Sequence, residues 1–435
     1  MKEKRYVKNK FLKSTIILGI GGLLTKVIGL IIRIIYTRII GIDGISLMSL
    51  INPTYSLLIT LASFNILMSI SMRISSNIAS RKVLINSCYI MFFLNLILIS
   101  VMFLASPFIS KYLLHNRDTF YPLLACSLTL PFISLGYIIK GYFYGKQNIA
   151  PHMISNVLEQ CFRLILIIFL LPKVSKYGVV VVVTTLFLLN ILTESFSILI
   201  LYLFLPKDKV ITRDDLKFDK HETKEILSIV VPSISGKILA NIGYFLEPIL
   251  FSSILLYRSN SMQYIQYQYG IYNAYVVSTL LFPSFLITAI CNSLLPEISR
   301  YRAEGNNKLV KKRAKQAIIL SLGLGIICTI FIDIFAKQII KILYDTEAGI
   351  NYIRLLAPFF ILFYIEAPLS TILTALNKVK TSTMISTSRI IIKLLCMIIL
   401  GLLDFKIYSL IIAEIINIFY VTLLDFYYVK KVLVQ

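Results

Sequence analysis

Twelve stretches of 20 or more mostly apolar residues recur along this chain, at about 11–36, 46–70, 83–105, 120–143, 150–172, 178–205, 226–256, 270–296, 315–337, 352–376, 380–403 and 407–430. A run of about 20 such residues is long enough to cross the hydrocarbon core of a bilayer as a helix. Lipid offers no partner to a backbone amide, so a spanning run must be a helix or a strand of a closed barrel. The alternating ten-residue segments of a barrel do not occur in this sequence. The sequence therefore predicts an all-α, polytopic membrane protein with about 12 transmembrane helices.

Charged residues make up only 15% of the chain, against about 25% in soluble domains. The basic start, Met1 to Lys13, leads into an apolar run far longer than the core of a signal peptide, so no cleavable leader is expected. A net charge of +23 would suit a nucleic-acid partner, but its distribution points to membrane orientation instead. With the N-terminus in the cytoplasm, loops on that side carry 27 Lys and Arg, and the opposite loops carry 9. Cytoplasmic loops are enriched in these residues, which predicts both termini inside and no nucleic acid as partner. Six cysteines (Cys88, Cys126, Cys161, Cys291, Cys328, Cys396) fall in apolar runs without a CxxC pair, implying neither a disulfide nor a metal framework. The three histidines are scattered, and neither a nucleophile elbow nor a complete phosphate-binding loop occurs. No enzyme chemistry is expected.

The longest polar stretch, Lys207 to Lys224, separates spans six and seven. It predicts an N-terminal lobe of six helices (1–206), a cytoplasmic linker (207–224) and a C-terminal lobe of six (225–435). Two faint matches suggest a repeat: LLTKVIG (23–29) with ISGKILA (234–240), and GKQNIAPHMIS (145–155) with NKVKTSTMIS (377–386). Six spans per half keep both halves in one orientation, the parallel-repeat arrangement of some transporters.

Eight Lys and Arg fall inside spans, where a cation costs roughly 2.5–3.5 kcal/mol on insertion scales and so faces a cavity or a partner. Lys26 and Arg33, seven residues apart in the first span, share one helix face. They form either a cationic stripe for an anionic solute or a snorkelling Arg33 beside an acid-paired Lys26. In span five, Glu159 and Arg163 stand four apart with the acid first, the better order for a helical ion pair. That pair is either self-satisfied or opened when substrate competes for Arg163. Span seven holds Lys237 and Glu247. Arg389 and Lys393 in span eleven are like charges four apart, which repel unless an anion or carboxylate lies between them. Acids in other spans (Glu194, Asp333, Glu366, Glu414) offer coupling sites for Na+ or H+, or sensitivity to membrane potential. No other cofactor is expected. Prolines 53, 131, 232, 248, 283, 358 and 368 lie inside spans and should bend them.

The stretch TKVIGLIIRIIYTRIIGIDGISLMSLINPTYSLL (25–58) resembles the opening of stage V sporulation protein B and MurJ-type lipid II flippases, of the multidrug/oligosaccharidyl-lipid/polysaccharide (MOP) exporter superfamily. A second stretch, YGIYNAYVVSTLLFPSFLITAICNSLLPEISRYRAEGN (269–306), is similar to that family's span eight and the following loop. The resemblance implies a V-shaped molecule of two six-helix lobes around a central cavity. It implies a cargo of undecaprenyl-pyrophosphate-linked saccharide, moved to the outer leaflet of the bacterial cytoplasmic membrane. In such proteins first-span cations bind the pyrophosphate, and an acid after that span serves the site or gate. Lys26 matches the first cation and Asp43 the acid, while Arg33 fits the sporulation-protein pattern. With Arg163 and Lys237 these form the expected substrate set. Glu159, Glu247, Glu366, Arg389 and Lys393 are the expected support or ion-coupling residues. MurJ-type proteins place an arginine five residues before the span-eight proline, where this chain has Ser278 before Pro283. That departure shifts the expected cargo from lipid II toward the sporulation-protein or polysaccharide branch, with cell-wall synthesis proteins as further partners. Two alternatives stay open: a cation-coupled multidrug antiporter of the same superfamily, and a non-transporting scaffold for cell-wall assembly.

Overall fold

A computed structural model describes residues 2–76, 80–206 and 218–434. Every regular element among them is helical. Residues 207–217, most of the expected linker, lie outside the described residues. The first two expected spans are not joined by a loop. They run through one long helix, α1 (Lys2–Ser63), interrupted at Gly41 with φ 64° and ψ −172°. Glycine reaches positive φ without steric penalty, so a single residue redirects the chain where the sequence left nine unassigned. The second span also ends early, because Phe64 and Asn65 adopt φ of 44° and 50° before α2 (Ile66–Ser75) starts afresh.

The remaining helices follow in order: α3 (Ser80–Phe108), α4 (Phe120–Gly145), α5 (Ala150–Val174), α6 (Val179–Leu203) and α7 (Lys220–Tyr257). Next come α8 (Met262–Gly270), a π-helical run (Ile271–Val277), α9 (Ser278–Leu281) and α10 (Ser284–Ala303), then α11 (Asn307–Ile334) and a short α12 (Ala336–Tyr344). The chain ends with α13 (Ile350–Ala375), α14 (Val379–Leu402) and α15 (Tyr408–Val434). Nine helices among the described residues are long and apolar enough to cross a membrane, and the α8–α10 segment adds one bent by 49°. That bend falls at Pro283, which cannot continue the backbone ladder. With the two arms of α1, each of the twelve expected spans lies on helix.

The chain divides into two compact units, Met1–Asn241 and Ile242–Gln435, and the division falls inside α7. In unit 1, α4 packs against α1, α2, α3 and α6. Gly141 and Gly145, one turn apart, admit α2: a Cβ on either would stand 3.0 and 2.7 Å from the Cβ of Ile70 and Ile74. Small residues at this spacing allow membrane helices to approach closely. Ile66, Ile70 and Ile74 thereby join Val83, Met91 and Ile138 in a core that also takes in Ile226 and Val230 of α7.

Polar contacts fasten the first part of α7 to the same unit. Arg73 pairs with Glu222 and Glu225, Asn65 Nδ2 donates to Ser233 Oγ at 2.8 Å, and Ser56 Oγ donates to Asn241 Oδ1 at 2.7 Å. Asp219 caps the helix, its Oδ1 accepting from the amides of His221 (2.9 Å) and Glu222 (3.1 Å). Those amides, Glu222 first, hold the Asp219 carboxyl below its ordinary range.

Unit 2 repeats the arrangement with α13 packed on α10, α11 and α15, and α14 on α15. The repeat extends to individual hydrogen bonds. After α4, the amides of Lys146, Gln147 and Asn148 donate to the carbonyls of Tyr142, Tyr144 and Phe143. After α13, the amides of Leu376, Asn377 and Lys378 donate in the same pattern to Ile372, Thr374 and Leu373. Gln147 and Asn377 both adopt positive φ, 53° and 55°. The recurrence falls in the segments matched by sequence, 145–155 and 377–386.

Candidate functional site

Charge buried in an apolar helix bundle is expensive unless it is paired, and each unit resolves this in its own way. In unit 1 the partners come from α4, α5 and α6. Lys140 Nζ lies 3.7 Å from Glu194 Oε2. Arg163 Nη2 lies 3.4 Å from Glu159 Oε1 and donates to Thr193 Oγ1, next to Glu194, at 3.0 Å. Gly136 leaves room for the Glu194 carboxylate, whose Oε2 would stand 3.0 Å from a Cβ at that position. Two cations thus face two carboxylates.

In unit 2, Lys393 of α14 is held between two acids, with Nζ 2.6 Å from Glu247 Oε2 on α7 and 2.7 Å from Glu414 Oε2 on α15. Tyr269 Oη donates to Glu247 Oε1 at 3.5 Å, and Asn417 Nδ2 donates to Glu414 Oε1 at 3.3 Å. One turn before Lys393, Arg389 Nη1 reaches Glu366 Oε2 of α13 at 3.3 Å. Glu366 and Arg389 line a cavity of about 280 Å³ together with Asp425, Ser284, Ser370 and Ser386. Glu366 Oε1 and Asp425 Oδ1 are buried with no hydrogen-bond partner. Two cations here face four carboxylates, a surplus of two negative charges that two protons or monovalent cations would neutralise.

The residues singled out by sequence fall into two sets. Glu159 with Arg163, Glu366 with Arg389, and Glu247 with Lys393 are brought into direct contact. The like-charged pair on α14 is accommodated because each cation has its own carboxylate. Lys26 and Asp43 belong to neither cluster. Lys26 stands exposed on the first arm of α1, with no carboxylate among the described residues paired to it. Arg33 is half-buried on the same arm, and Asp43 is exposed just past the break at Gly41. Lys237 is exposed on α7 and donates to the side-chain oxygen of Asn65 at 3.0 Å. Sequence reasoning left out Asp425, although an acid inside the span 407–430 was itself the signal. The Lys140–Glu194 pairing also escaped it, because two residues 54 positions apart meet only through the packing of α4 on α6.

Residues 11–302 match the family described as polysaccharide biosynthesis protein, and residues 273–399 match the MatE family. Stage V sporulation protein B of Bacillus subtilis strain 168 is 29% identical over 381 residues, 85% of this chain and 74% of that protein. Lipid II flippase MurJ of the same organism is 22% identical over 419 residues, 89% of this chain and 77% of that protein. An inward-facing multidrug resistance MATE transporter of the MOP superfamily shares the fold, with a TM-score of 0.76 at 16% identity, covering 94% of this chain and 95% of its own.

Proposed function

The chain belongs to the polysaccharide biosynthesis protein family, within the MOP superfamily of transporters and flippases, and on that premise we propose that it flips a lipid-linked saccharide. The inferred cargo is an undecaprenyl-pyrophosphate-linked unit of peptidoglycan or another cell-envelope polysaccharide. It moves by alternating access from the cytoplasmic to the outer leaflet of the bacterial cytoplasmic membrane, with both termini of the protein in the cytoplasm.

Lys26 carries this reading. Lys140, Arg163, Arg389 and Lys393 are each paired with a carboxylate of their own unit. Lys26 lies in an apolar stretch of α1, exposed and with no carboxylate among the described residues paired to it. A cation placed so keeps its charge for an anionic ligand. Pyrophosphate favours clustered cations in a low-dielectric setting. Arg33, two turns along the same face, and Lys237 extend the set, with Asp43 beyond the Gly41 break serving the gate. Only the polar headgroup needs a path, since the prenyl tail can remain in lipid.

Unit 2 supplies the coupling. Its surplus of carboxylates binds H+ or Na+, and Glu366 and Asp425, each with one buried oxygen (Oε1 and Oδ1) that lacks a hydrogen-bond partner, carry the exchanged charge. The test is flipping of a fluorescent lipid-linked saccharide in proteoliposomes. Lys26→Ala or Arg33→Ala should slow it about tenfold to a hundredfold, the worth of one charge-assisted hydrogen bond, without altering thermal unfolding in detergent. Wild-type flipping by the double alanine variant would refute the cationic site. The pair Glu366→Gln and Asp425→Asn should abolish dependence of the rate on pH and Na+ while headgroup binding persists.

A further inference from the structure

At one end of unit 2 the close of α10, the start of α11, the α13–α14 turn and the close of α15 share a core that includes Ile298, Val310, Leu373, Leu376 and Val429. Eleven Lys and Arg fall at this end, in 300–315, 378–380 and 430–431, against Glu304 within those stretches and Glu297 just before the first. Those glutamates are already engaged, Glu297 with Arg313 at 2.9 Å and Glu304 with Arg300 at 3.8 Å. The lysines are left as an electropositive rim.

A cavity of about 120 Å³ opens into this rim, lined by Leu373, Lys378, Thr381, Tyr428, Lys431 and Val432. Its polar groups are two ammonium groups and two hydroxyls, and it contains no carboxylate. Every one of them can donate a hydrogen bond, and ammonium groups bind phosphate oxygens as charge-assisted donors. Leu373 and Val432 give the same cavity an apolar wall. Lys378 is also the N-cap residue that immediately precedes α14, so the positive end of that helix dipole adds to the two ammonium charges.

The shared helical frame does not demand this chemistry. At the matching junction of unit 1 the turn carries Asn148 and Ile149 before α5, and the last turn of α6 holds no basic residue. Among the described residues of the α4–α5 turn and the last turn of α6, Lys146 is the one lysine. In unit 2 the last turn of α15 brings Lys431 into the lining of the same cavity as Lys378.

We propose that this cavity seats the phosphate of an anionic phospholipid headgroup, in the leaflet that the charge distribution assigns to the cytoplasm. Lys378 and Lys431 bracket the phosphate, Thr381 and Tyr428 donate to its oxygens, and the glycerol lies against Leu373 and Val432. Soluble phosphate shares this chemistry, and the test separates the two sources.

The purified full-length protein in neutral detergent is titrated with phosphatidylglycerol, phosphatidylcholine or inorganic phosphate, and bound lipid is counted by native mass spectrometry. Phosphatidylglycerol should bind and phosphatidylcholine should not. The pair Lys378→Gln and Lys431→Gln should weaken phosphatidylglycerol binding about tenfold. The pair Lys308→Gln and Lys311→Gln, equally exposed at the same end, should change it less than about twofold. Gel filtration of both variants confirms that neither has lost its fold. Equal losses in the two variants would reduce the seat to diffuse surface charge, and an unchanged Lys378/Lys431 variant would remove it. Displacement of the lipid by inorganic phosphate at matching concentration would overturn the lipid assignment in favour of a soluble anion.

Discussion

In unit 1, Lys140 and Arg163 meet Glu194 and Glu159, one acid for each cation. In unit 2, Arg389 and Lys393 meet Glu247, Glu366 and Glu414, and Asp425 lines the same cavity as Arg389. The frames are alike: α4 and α13 hold corresponding places, and the turns that follow them repeat their hydrogen bonds. What differs is how charge fills the frame. A balanced cluster needs nothing from outside and serves to fix helix packing. An acidic surplus buried away from water is costly and is relieved by bound positive charge. The repeat reproduces the backbone and leaves the electrostatics free to diverge between a balanced unit and an acidic one.

Removing one cation from each cluster measures this difference most directly. Lys393→Met should leave Glu247 and Glu414 buried against each other, destabilising the protein by about 3–5 kcal/mol, read as a lower midpoint of unfolding in detergent. Adding Glu247→Gln and Glu414→Gln to the same variant should restore most of the loss, because the uncompensated charge is then gone. Lys140→Met in unit 1 should cost less, about 1–3 kcal/mol. Its contact with Glu194 is long at 3.7 Å, and Arg163 remains within the cluster. If Lys140→Met proves the more damaging, the contrast between the units is wrong.

These clusters also mark how far the sequence could be read. The spans were legible because hydropathy over 20 residues survives any detail of packing. The Glu159–Arg163 pair was legible because both residues lie on one helix at a spacing that geometry fixes. Lys393 between Glu247 and Glu414 was not, since three helices must each be rotated correctly before the side chains meet. The pivot at Gly41 was also hidden. A lone glycine is common in a membrane span, and only the observed φ of 64° distinguishes this one. Lys26 and Arg33 could be placed on a shared face from their spacing, but no pattern in the chain reveals that Lys26 has no paired acid among the described residues while Lys140 has one.

Packing at the two matching helix ends offers a finer comparison. Gly145 closes α4, where a Cβ would stand 2.7 Å from Cβ of Ile74. Ala375 closes α13 and already carries a buried Cβ. Gly145→Ala should therefore destabilise unit 1 by about 1–3 kcal/mol through overpacking, despite alanine's higher helix propensity. Ala375→Gly should cost only about 0.5–1 kcal/mol. Equal effects would mean that α2 is free to shift away from α4, and that the small-residue contact does not hold it.

The smallest effect concerns α7, whose first part is bound to unit 1 and whose second part contributes Glu247 to unit 2. Asp219 caps its start, and the amides it accepts from, Glu222 first and then His221, keep its carboxyl below the ordinary range. A carboxyl depressed in the folded state contributes stability that is complete above its unfolded value and is lost as pH falls through the folded one. The loss should therefore begin below roughly pH 4 and show as faster hydrogen exchange in the first turn of α7, while the residues around Glu247 keep their protection. Asp219→Asn should retain a capping oxygen but remove the titration, flattening the exchange profile over that interval. An acid-induced opening that starts instead at the Glu247 end would mean that α7 is released first from unit 2.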